Sequence, residues 1–416
     1  MTALALDIGS SSVRAQRFDD AAQPLDELRQ EEYDTNDPDE IAALVRAVLD
    51  GDDPDGVSCF GHSLVAVDGN GKPLTPLLGW RDTRSADAAE WLRRRLDADA
   101  VHARTGAFLH PSFWPAKLAW LAQTEPETFR EAKRFVSFSD YALGSTRTSV
   151  SIASGTGLLD LTRNDWDEEL LATLGLDAER LPTIGDEPVW IDAVCSNLGA
   201  GCTGRERAAL MIGTSAAARI LYETERPQPR PGLFMYRVDA SRVLEGGALS
   251  DGGNLYAWLK KTLTDGGTAG DEHGLTFLPF LGGERSTGWD PDATGTIHGL
   301  TFGTTPADIR RAAREGVGFR VAAILDLLPE VEEVVATGGA LFHDHDWVQV
   351  IADALARPVT LSGVVEASLR GAAVAVLGGR PEAPLGETFH PREDAAERFR
   401  EARERHEALY RALRDS

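Results

Sequence analysis

Two well-separated stretches of the chain share one layout, and this repetition constrains the fold more than any other feature. The first, LALDIGSSSVRAQRF over residues 4–18, reads as an apolar strand, a small polar turn and a return strand. The second, AALMIGTSAAARILYE over residues 208–223, gives an apolar strand, an Ile-Gly-Thr-Ser turn and a return strand bearing an arginine. A chain of 416 residues is long for one core, since single domains run to roughly 100–200 residues. Duplication of a β-turn-β unit predicts two related lobes, and two lobes enclose a cleft.

The rest of the pattern is α/β. Short β-rich runs at residues 3–6, 13–18, 56–60 and 64–67 alternate with helical periodicity, as in SADAAEWLRRRLDADAVHARTG over residues 85–106. Glycine turns at residues 69–72 (GNGK) and 154–157 (SGTG) predict hairpins. After a Pro-rich connection at residues 225–232 come a glycine-rich stretch, the loop FLPFLGGERSTGWDPDATG and a helical pattern from Pro306 to Leu328. Strand, glycine turn and helix recur in VEEVVATGGALFHDHDWVQVIADAL. The final helical pattern, Arg392 to Leu413, carries one narrow apolar stripe of Phe399, Ala402, Leu409 and Leu413. It predicts a packing helix with no chemical part.

Composition narrows the function classes. The hydrophobic share is 42% and the charged share 26%, as in globular chains, and no apolar run nears the ~20 residues of a membrane helix. Membrane spanning is not expected. Net charge is -24, from 42 basic and 66 acidic side chains, so the overall field repels nucleic acid and anionic membrane. It equally repels a nucleotide or an acidic sugar, which must then be held by local backbone amides and a few placed cations. Cys59, Cys195 and Cys202 form no Cys-x-x-Cys pair and are odd in number, which argues against a disulfide framework or a thiolate zinc site. The opening MTALALDIGS lacks a basic leader and long apolar core, so the expectation is a cytoplasmic chain beginning at Met1.

The turns carry the chemistry. Gly9, Ser10, Ser11 and Ser12 direct amides and hydroxyls at one spot, as a phosphate needs, and Asp7 beside them suits a hydrated magnesium ion. Singly, each turn is equally an ordinary hairpin whose Asp and Ser satisfy the bend; two facing copies suggest a clamp for one polyphosphate. A third turn, VVATGGALF over residues 334–342, has bare Gly338 and Gly339 after an apolar strand, which lets backbone approach a flat ligand. Dinucleotide and Walker glycine spacings are absent. HDHD at residues 343–346 is a poor metal site, because Asp346 is the expected cap of the next helix and closely spaced loop ligands seldom converge on one ion.

In order along the chain, LDIGSSSVRA, GHSLVAVDGNGKPLTPLLGWRDTRS, TGAFLHPSFWPAKLAWL, SIASGTGLLDLTRNDWDEELL, DAVCSNLGAGC, IGTSAAA, LPFLGGERSTGWD and ATGGALFHDHDWVQVIADAL resemble the FGGY carbohydrate kinases. The resemblance runs from residue 3 to about residue 378, and HPSFWPAKLAWL, SIASGTGLLDL, CSNLGAGC and GERSTGW are most similar to the gluconate kinase branch. It implies an actin-like, hexokinase-type α/β fold of two duplicated ribonuclease-H-like domains, drawn here at residues 1–188 and 189–416, with ATP in the central cleft. It also implies Mg2+ and a sugar or sugar acid as partner. Asp7 matches the family's magnesium-associated aspartate. Ser11 and Arg14, beside Gly9 and Ser10, match positions near the transferred phosphate; Gly213, Thr214 and Ser215 match the second phosphate turn, and Gly338, Gly339 and Ala340 the adenosine motif.

Asp192 falls where the resemblance places the catalytic base. Standing before a helical pattern, it is expected to cap amides and to be oriented and ionised at neutral pH. A weak base suffices, because phosphoryl transfer relies on positioning and charge neutralisation. Without the resemblance, Asp192 reads as a plain helix cap. The family usually has glycine just before this aspartate, and Ile191 stands there instead, with a branched side chain expected to shift the carboxylate or crowd the substrate.

His62 and Trp80 match positions lining the polyol pocket, one by hydrogen bonding and one by stacking. Asp82 and Arg84 bind hydroxyls or pair with each other, the pair being preferred. Arg81, or alternatively Lys117, is expected to meet an acidic sugar's carboxylate. Glu284 and Arg285 match a cleft loop and read as structural. The leading expectation is an ATP-dependent kinase of a sugar acid's terminal hydroxyl, converting gluconate to 6-phosphogluconate, with lobe closure excluding water. Alternatives are a kinase of a neutral ketose or polyol such as xylulose, and a catalytically silent sugar-binding protein on the same fold. A chaperone-like or filament-forming relative has no use for GWRDTRS or GERSTGW. No partner motif is visible, and a homodimer stays open.

Overall fold

The computed structural model describes residues 1–264, 266–269, 272–379 and 381–414. Two large sheets are built on one plan. Across the first lie Val189–Ile191, Gly56–Cys59, Ala3–Ile8, Ser12–Phe18 and Arg29–Glu32. Across the second lie Phe234–Arg237, Arg242–Leu249, Ala216–Glu223, Gly204–Ile212, Glu333–Thr337, Val359–Ser362 and Leu385–Phe389. Each contains an antiparallel hairpin, Ala3–Ile8 with Ser12–Phe18 and Gly204–Ile212 with Ala216–Glu223. The leading strand of each hairpin takes a parallel neighbour on its other side. The repeat seen in sequence is therefore a repeated topology, the two-domain α/β plan of the actin-like fold. Strand Ala3–Ile8 is buried on both faces, which explains its nearly unbroken apolar run.

Local details depart from expectation for identifiable reasons. Residues 85–106 form two helices, Ala86–Arg93 and Ala98–Thr105, because the Asp97 side chain accepts from the Asp99 and Ala100 amides and starts a new one. GNGK does close a hairpin, with the Asp68 amide donating to Lys72 O at 2.9 Å. SGTG does not: Ser149 caps the helix Val150–Gly155, so Ser154 and Gly155 are its last residues. The cap of His345–Leu355 is Asp344 rather than Asp346. On the final helix, Ala396–Arg414, the buried side chains are Phe399, Ala402, His406 and Tyr410. Both sets fit the 3.6-residue period equally well, and tertiary packing decides between them.

The helix Ala367–Leu377 binds the two sheets together. It precedes a strand of the second sheet yet packs against Ala3–Ile8 and Gly56–Cys59 of the first, and against the helix Asp192–Gly199. Glycines permit this approach. A Cβ at Gly371 would lie 1.8 Å from Cys195 O, one at Gly199 1.8 Å from Ala367 O, and one at Gly56 2.5 Å from Ala372 O. A domain division between residues 188 and 189 falls directly before Val189–Ile191, which pairs with Gly56–Cys59. We therefore propose to draw the division after this strand.

Substituting Gly371→Ala sets two effects against each other. Alanine gains up to about 1 kcal/mol of helix propensity, whereas a backbone clash at 1.8 Å forces two helices apart and costs about 3 kcal/mol. The variant is expected to melt below the parent; a melting temperature equal to or above it would show that the contact yields easily.

Candidate active site

Asp192 is the first residue of the helix Asp192–Gly199, which begins where Val189–Ile191 leaves the first sheet. The N-cap position belongs to Ile191, so Asp192 is not the cap. Its Oδ1 instead accepts from the adjacent Ala193 amide at 2.8 Å, which orients it at the positive helix end. Burial pushes the Asp192 carboxyl above the ordinary range, while the Arg219 guanidinium, the Ala193 N–H and the Arg285 guanidinium act the other way. The field favouring the ionised form thus comes first from a cation rather than from capping. Ile191 is buried, with its side chain turned toward two glycines: a Cβ at Gly61 or Gly155 would lie 3.1 or 2.6 Å from its carbons. Those glycines house the branched chain, although Ile191 still borders the cleft cavity.

That cavity, of about 180 Å³, gathers Asp192, Ser10 of the first turn, and Thr214 and Ser215 of the second. His62, Trp80 and Arg81 line it from the first lobe, and Arg219, Tyr236 and Arg285 from the second. Other expected residues lie around it. Asp7, at the end of its strand, accepts from Ser58 Oγ at 2.6 Å and from Arg14 Nη1 at 3.3 Å. Arg14 also meets Glu366 at 3.2 Å, so it is tied to the first turn's own carboxylate and to the start of the Ala367–Leu377 helix. The Gly9 and Gly213 amides close their own turns, onto Ser12 O at 2.9 Å and Ser215 O at 3.0 Å, while Ser10 and Ser11 are exposed. Gly338, at φ +99°, passes so close to Ile212 O that a Cβ would lie 2.4 Å from it. Ala340 and Gly339 follow at the start of a short helix, and Ala340 packs beside Gly253, whose amide donates to Gly213 O at 2.8 Å. The glycine turn and the second phosphate-type turn are therefore neighbours.

His62 sits at φ +64° and donates Nδ1–H to Gly155 O at 2.5 Å. Burial, then Arg285, hold its pKa well below the ordinary value, leaving a neutral ring whose Nε2 can accept. Lys117 does not reach the cavity. Its Nζ donates to His62 O at 2.5 Å and to Leu78 O at 3.1 Å, and burial lowers its pKa to about 7. It fastens the His62 backbone, a role that replaces the alternative of pairing with a sugar carboxylate. Asp82 pairs with Arg84 at 2.7 Å and borders an adjoining groove, outside the cavity. Among the described residues, no three His, Cys, Asp or Glu side chains are placed to hold a metal, HDHD included. No helix among them is long and apolar enough to cross a membrane.

Three groups were underrated by the sequence. Arg219, the arginine of the second return strand, is buried with Nε and Nη2 unpartnered. Its signal was the repeat, since the first return strand carries Arg14 in a similar place. Tyr236 is buried with Oη unpartnered, and nothing in its strand pattern marked it. Arg285, read as structural, projects to the cavity, whereas its neighbour Glu284 is the structural one, accepting from Arg320 at 2.6 Å and from Tyr410 at 2.9 and 3.0 Å. The final helix, through Tyr410, thereby helps anchor the cleft loop, contrary to its reading as mere packing.

Two duplicated lobes with a phosphate-type turn from each, around one partly buried carboxylate, fit a two-lobed kinase of the actin-like ATPase class. The chain belongs to the FGGY family of carbohydrate kinases: the N-terminal domain model matches residues 2–196 and the C-terminal one residues 208–377. It is thus a phosphotransferase with an alcohol acceptor and ATP as substrate. A gluconokinase of Bacillus subtilis is 28% identical over 82% of this chain and 78% of its own. A glycerol kinase of Thermus brockianus is 31% identical over 83% and 79%. A solved gluconate kinase from Lactobacillus acidophilus superposes with a TM-score of 0.87 at 24% identity, covering 99% and 98% of the two chains. A ligand-bound xylulose kinase from the same organism gives 0.88 at 24% identity, with the same coverage.

Asp7 yields a pH-dependent test. Burial raises its pKa from 3.8 to about 6 against the pull of Ser58 and Arg14, so the folded protein holds this proton more tightly than the unfolded chain. The stabilisation from that proton is present below pH 3.8 and lost as pH rises through about 6. A rise of that size corresponds to roughly 3 kcal/mol. Asp7→Asn is expected to raise the melting temperature of the ligand-free protein at pH 8 and to leave it near the parent's at pH 4; the reverse pattern would mean that the charged form is the stabilised one.

Proposed function

We propose that this protein is a magnesium-ATP-dependent kinase of a sugar acid, phosphorylating the terminal hydroxyl of gluconate to give 6-phosphogluconate. The observation carrying this reading is a single cavity in which Asp192 faces Ser10, Thr214 and Ser215 of both phosphate-type turns. In a chain of net charge -24, the same cavity is lined by Arg81, Arg219 and Arg285, a local excess of positive charge suited to an anionic sugar. Gluconokinases among the relatives agree with that chemistry.

In this reading the terminal hydroxyl oxygen attacks the γ-phosphorus, the bond from phosphorus to the β,γ-bridging oxygen breaks, and ADP leaves. Asp192 takes the hydroxyl proton as the new bond forms. His62 accepts from a sugar hydroxyl through Nε2, and Trp80 stacks on the C–H face. Ser10, Ser11, Thr214 and Ser215 cradle phosphate oxygens, while Arg14 orients Asp7. Gly338 and Gly339, with only the methyl of Ala340 beside them, supply the bare surface against which adenosine lies. Asp7 is the residue that would hold Mg2+, and its donor chemistry fits: one buried carboxylate suits an ion bound largely through phosphates and waters. When bound, the ion neutralises charge on the phosphates.

A second reading, a kinase of a neutral ketose, draws on the xylulose kinase from Brucella ovis, superposing with a TM-score of 0.87 at 25% identity. An ADP-release assay with magnesium-ATP across gluconate, xylulose, glycerol, ribulose and rhamnulose separates them. Gluconate is expected to give the highest kcat/KM, and Asp192→Asn to lower kcat by about 10²–10⁴-fold with ATP binding retained. Xylulose turnover without gluconate turnover would favour the second reading. ATP binding without turnover of any sugar would point to a silent sugar-binding protein.

A further inference from the structure

Arg285 carries a positive charge to the cavity wall and closes no ion pair there, although the Asp192 carboxylate acts on it through space. It is 8% exposed, its guanidinium makes no hydrogen bond or ion pair among the described residues, and its Nε is fully buried. Its neighbours are aromatic faces, Trp80 at 5.6 Å and Trp289 at 5.8 Å from ring centroid to guanidinium carbon. A buried cation left in that state is strongly unfavourable unless something else completes its hydrogen bonding. Native structures seldom leave such groups without a protein, water or ligand partner, and this one borders the cavity.

The surrounding loop gives Arg285 a fixed aim. Glu284, the adjacent carboxylate, is spent on Arg320, Tyr410 and the Gly288 amide, so it is not available to Arg285. The Ser286 amide donates to Ala248 O at 2.9 Å, and the Ala248 amide to Ser286 Oγ at 3.0 Å, pinning the next residue to the second sheet. The other two cavity cations fit less well. Arg81 is exposed and lies 4.6 Å over Trp80. Arg219 is the cation acting most strongly on Asp192, ahead of Arg285, so it is the one more engaged by the proposed base.

We infer that Arg285, rather than Arg81 or Lys117, recognises the carboxylate of the acidic sugar, through a bidentate guanidinium–carboxylate contact between Trp80 and Trp289. This rests on the sugar-acid kinase reading above. Arg285 is then the residue that sets specificity, because a neutral polyol leaves its buried donors unpaired.

The test compares wild type, Arg285→Gln and Arg285→Lys on gluconate and on glucitol, its analogue with an alcohol in place of the carboxylate, beside thermal melting with and without each sugar. Wild type should prefer gluconate, and the kcat/KM ratio of gluconate to glucitol should fall about 100-fold in Arg285→Gln, with Arg285→Lys between. Ligand-free Arg285→Gln should melt at or above wild type, since it removes an unpaired buried charge. A gluconate preference that survives in Arg285→Gln overturns the inference and leaves the kinase reading standing. Lower melting with equal loss on both sugars assigns a structural role and also overturns it. A wild type that prefers neutral sugars overturns the sugar-acid reading, and the inference with it.

Discussion

The site depends on how closely two helix backbones approach. Gly371 of Ala367–Leu377 lies against the Cys195 carbonyl, and Gly199 of Asp192–Gly199 lies against the Ala367 carbonyl. With side chains removed from both surfaces, the helix carrying Asp192 seats on a helix that itself rests on the first sheet. Polar contacts hold the same joint. Buried Arg370 donates to Gly199 O at 2.7 Å, at the end of the Asp192 helix, and to Ala22 O at 3.2 Å in the first lobe. Arg14 reaches Glu366, beside the start of the joining helix, from the first return strand. The strand bearing the first turn, the helix bearing Asp192 and the joining helix thus form one linked unit.

Charge shapes the same region in a different way. Asp7 and Asp192 are close enough for the negative charge of Asp192 to raise the pKa of Asp7, and burial raises both. Arg219 and Arg285, themselves buried, are destabilised in their charged forms by the same desolvation. None of the cavity guanidiniums closes an ion pair with Asp192 in the ligand-free protein. A chain with an acidic exterior thereby keeps a pocket of under-neutralised cations, which a phosphate or carboxylate can complete without long-range attraction. Such an arrangement trades stability for readiness to bind, a common compromise at sites that act on anions.

The repeat exposed most of the architecture in advance, because a β-turn-β unit is local and its register follows from apolar runs. Ser10, Thr214 and Ser215 stood out through the repeated turn, whereas Asp192, which on its own reads as a helix cap, stood out only through the resemblance to the FGGY kinases. What escaped was set by distant contacts. Lys117 looked like a free cation because nothing local shows that two backbone carbonyls, His62 O and Leu78 O, would claim it. Glu284 and Arg285 both looked structural from their match to a cleft loop; only the pairing of Glu284 with Arg320 and Tyr410, from two later helices, distinguishes it from Arg285, which borders the cavity. The stripe on the final helix went wrong at its end, since aliphatic leucines outrank His406 and Tyr410 in any apolar count, yet the tertiary surroundings bury the polar pair.

Ile191 shows why a departure from a family pattern needs its surroundings before it is weighed. Its branched side chain precedes the proposed base, yet the Asp192 carboxylate takes its orientation from the following amide, Ala193 N–H, and its electrostatic surroundings from Arg219 and Arg285. The bulk of Ile191 is absorbed where Gly61 and Gly155 leave space, and Gly155 also supplies the carbonyl that fixes His62 Nδ1. Residue 191 therefore packs into the wall beside His62, against Gly61 and Gly155. In the reading proposed above, a branched residue before the aspartate is accommodated by those two glycines, so it need not displace the carboxylate that the Ala193 amide orients.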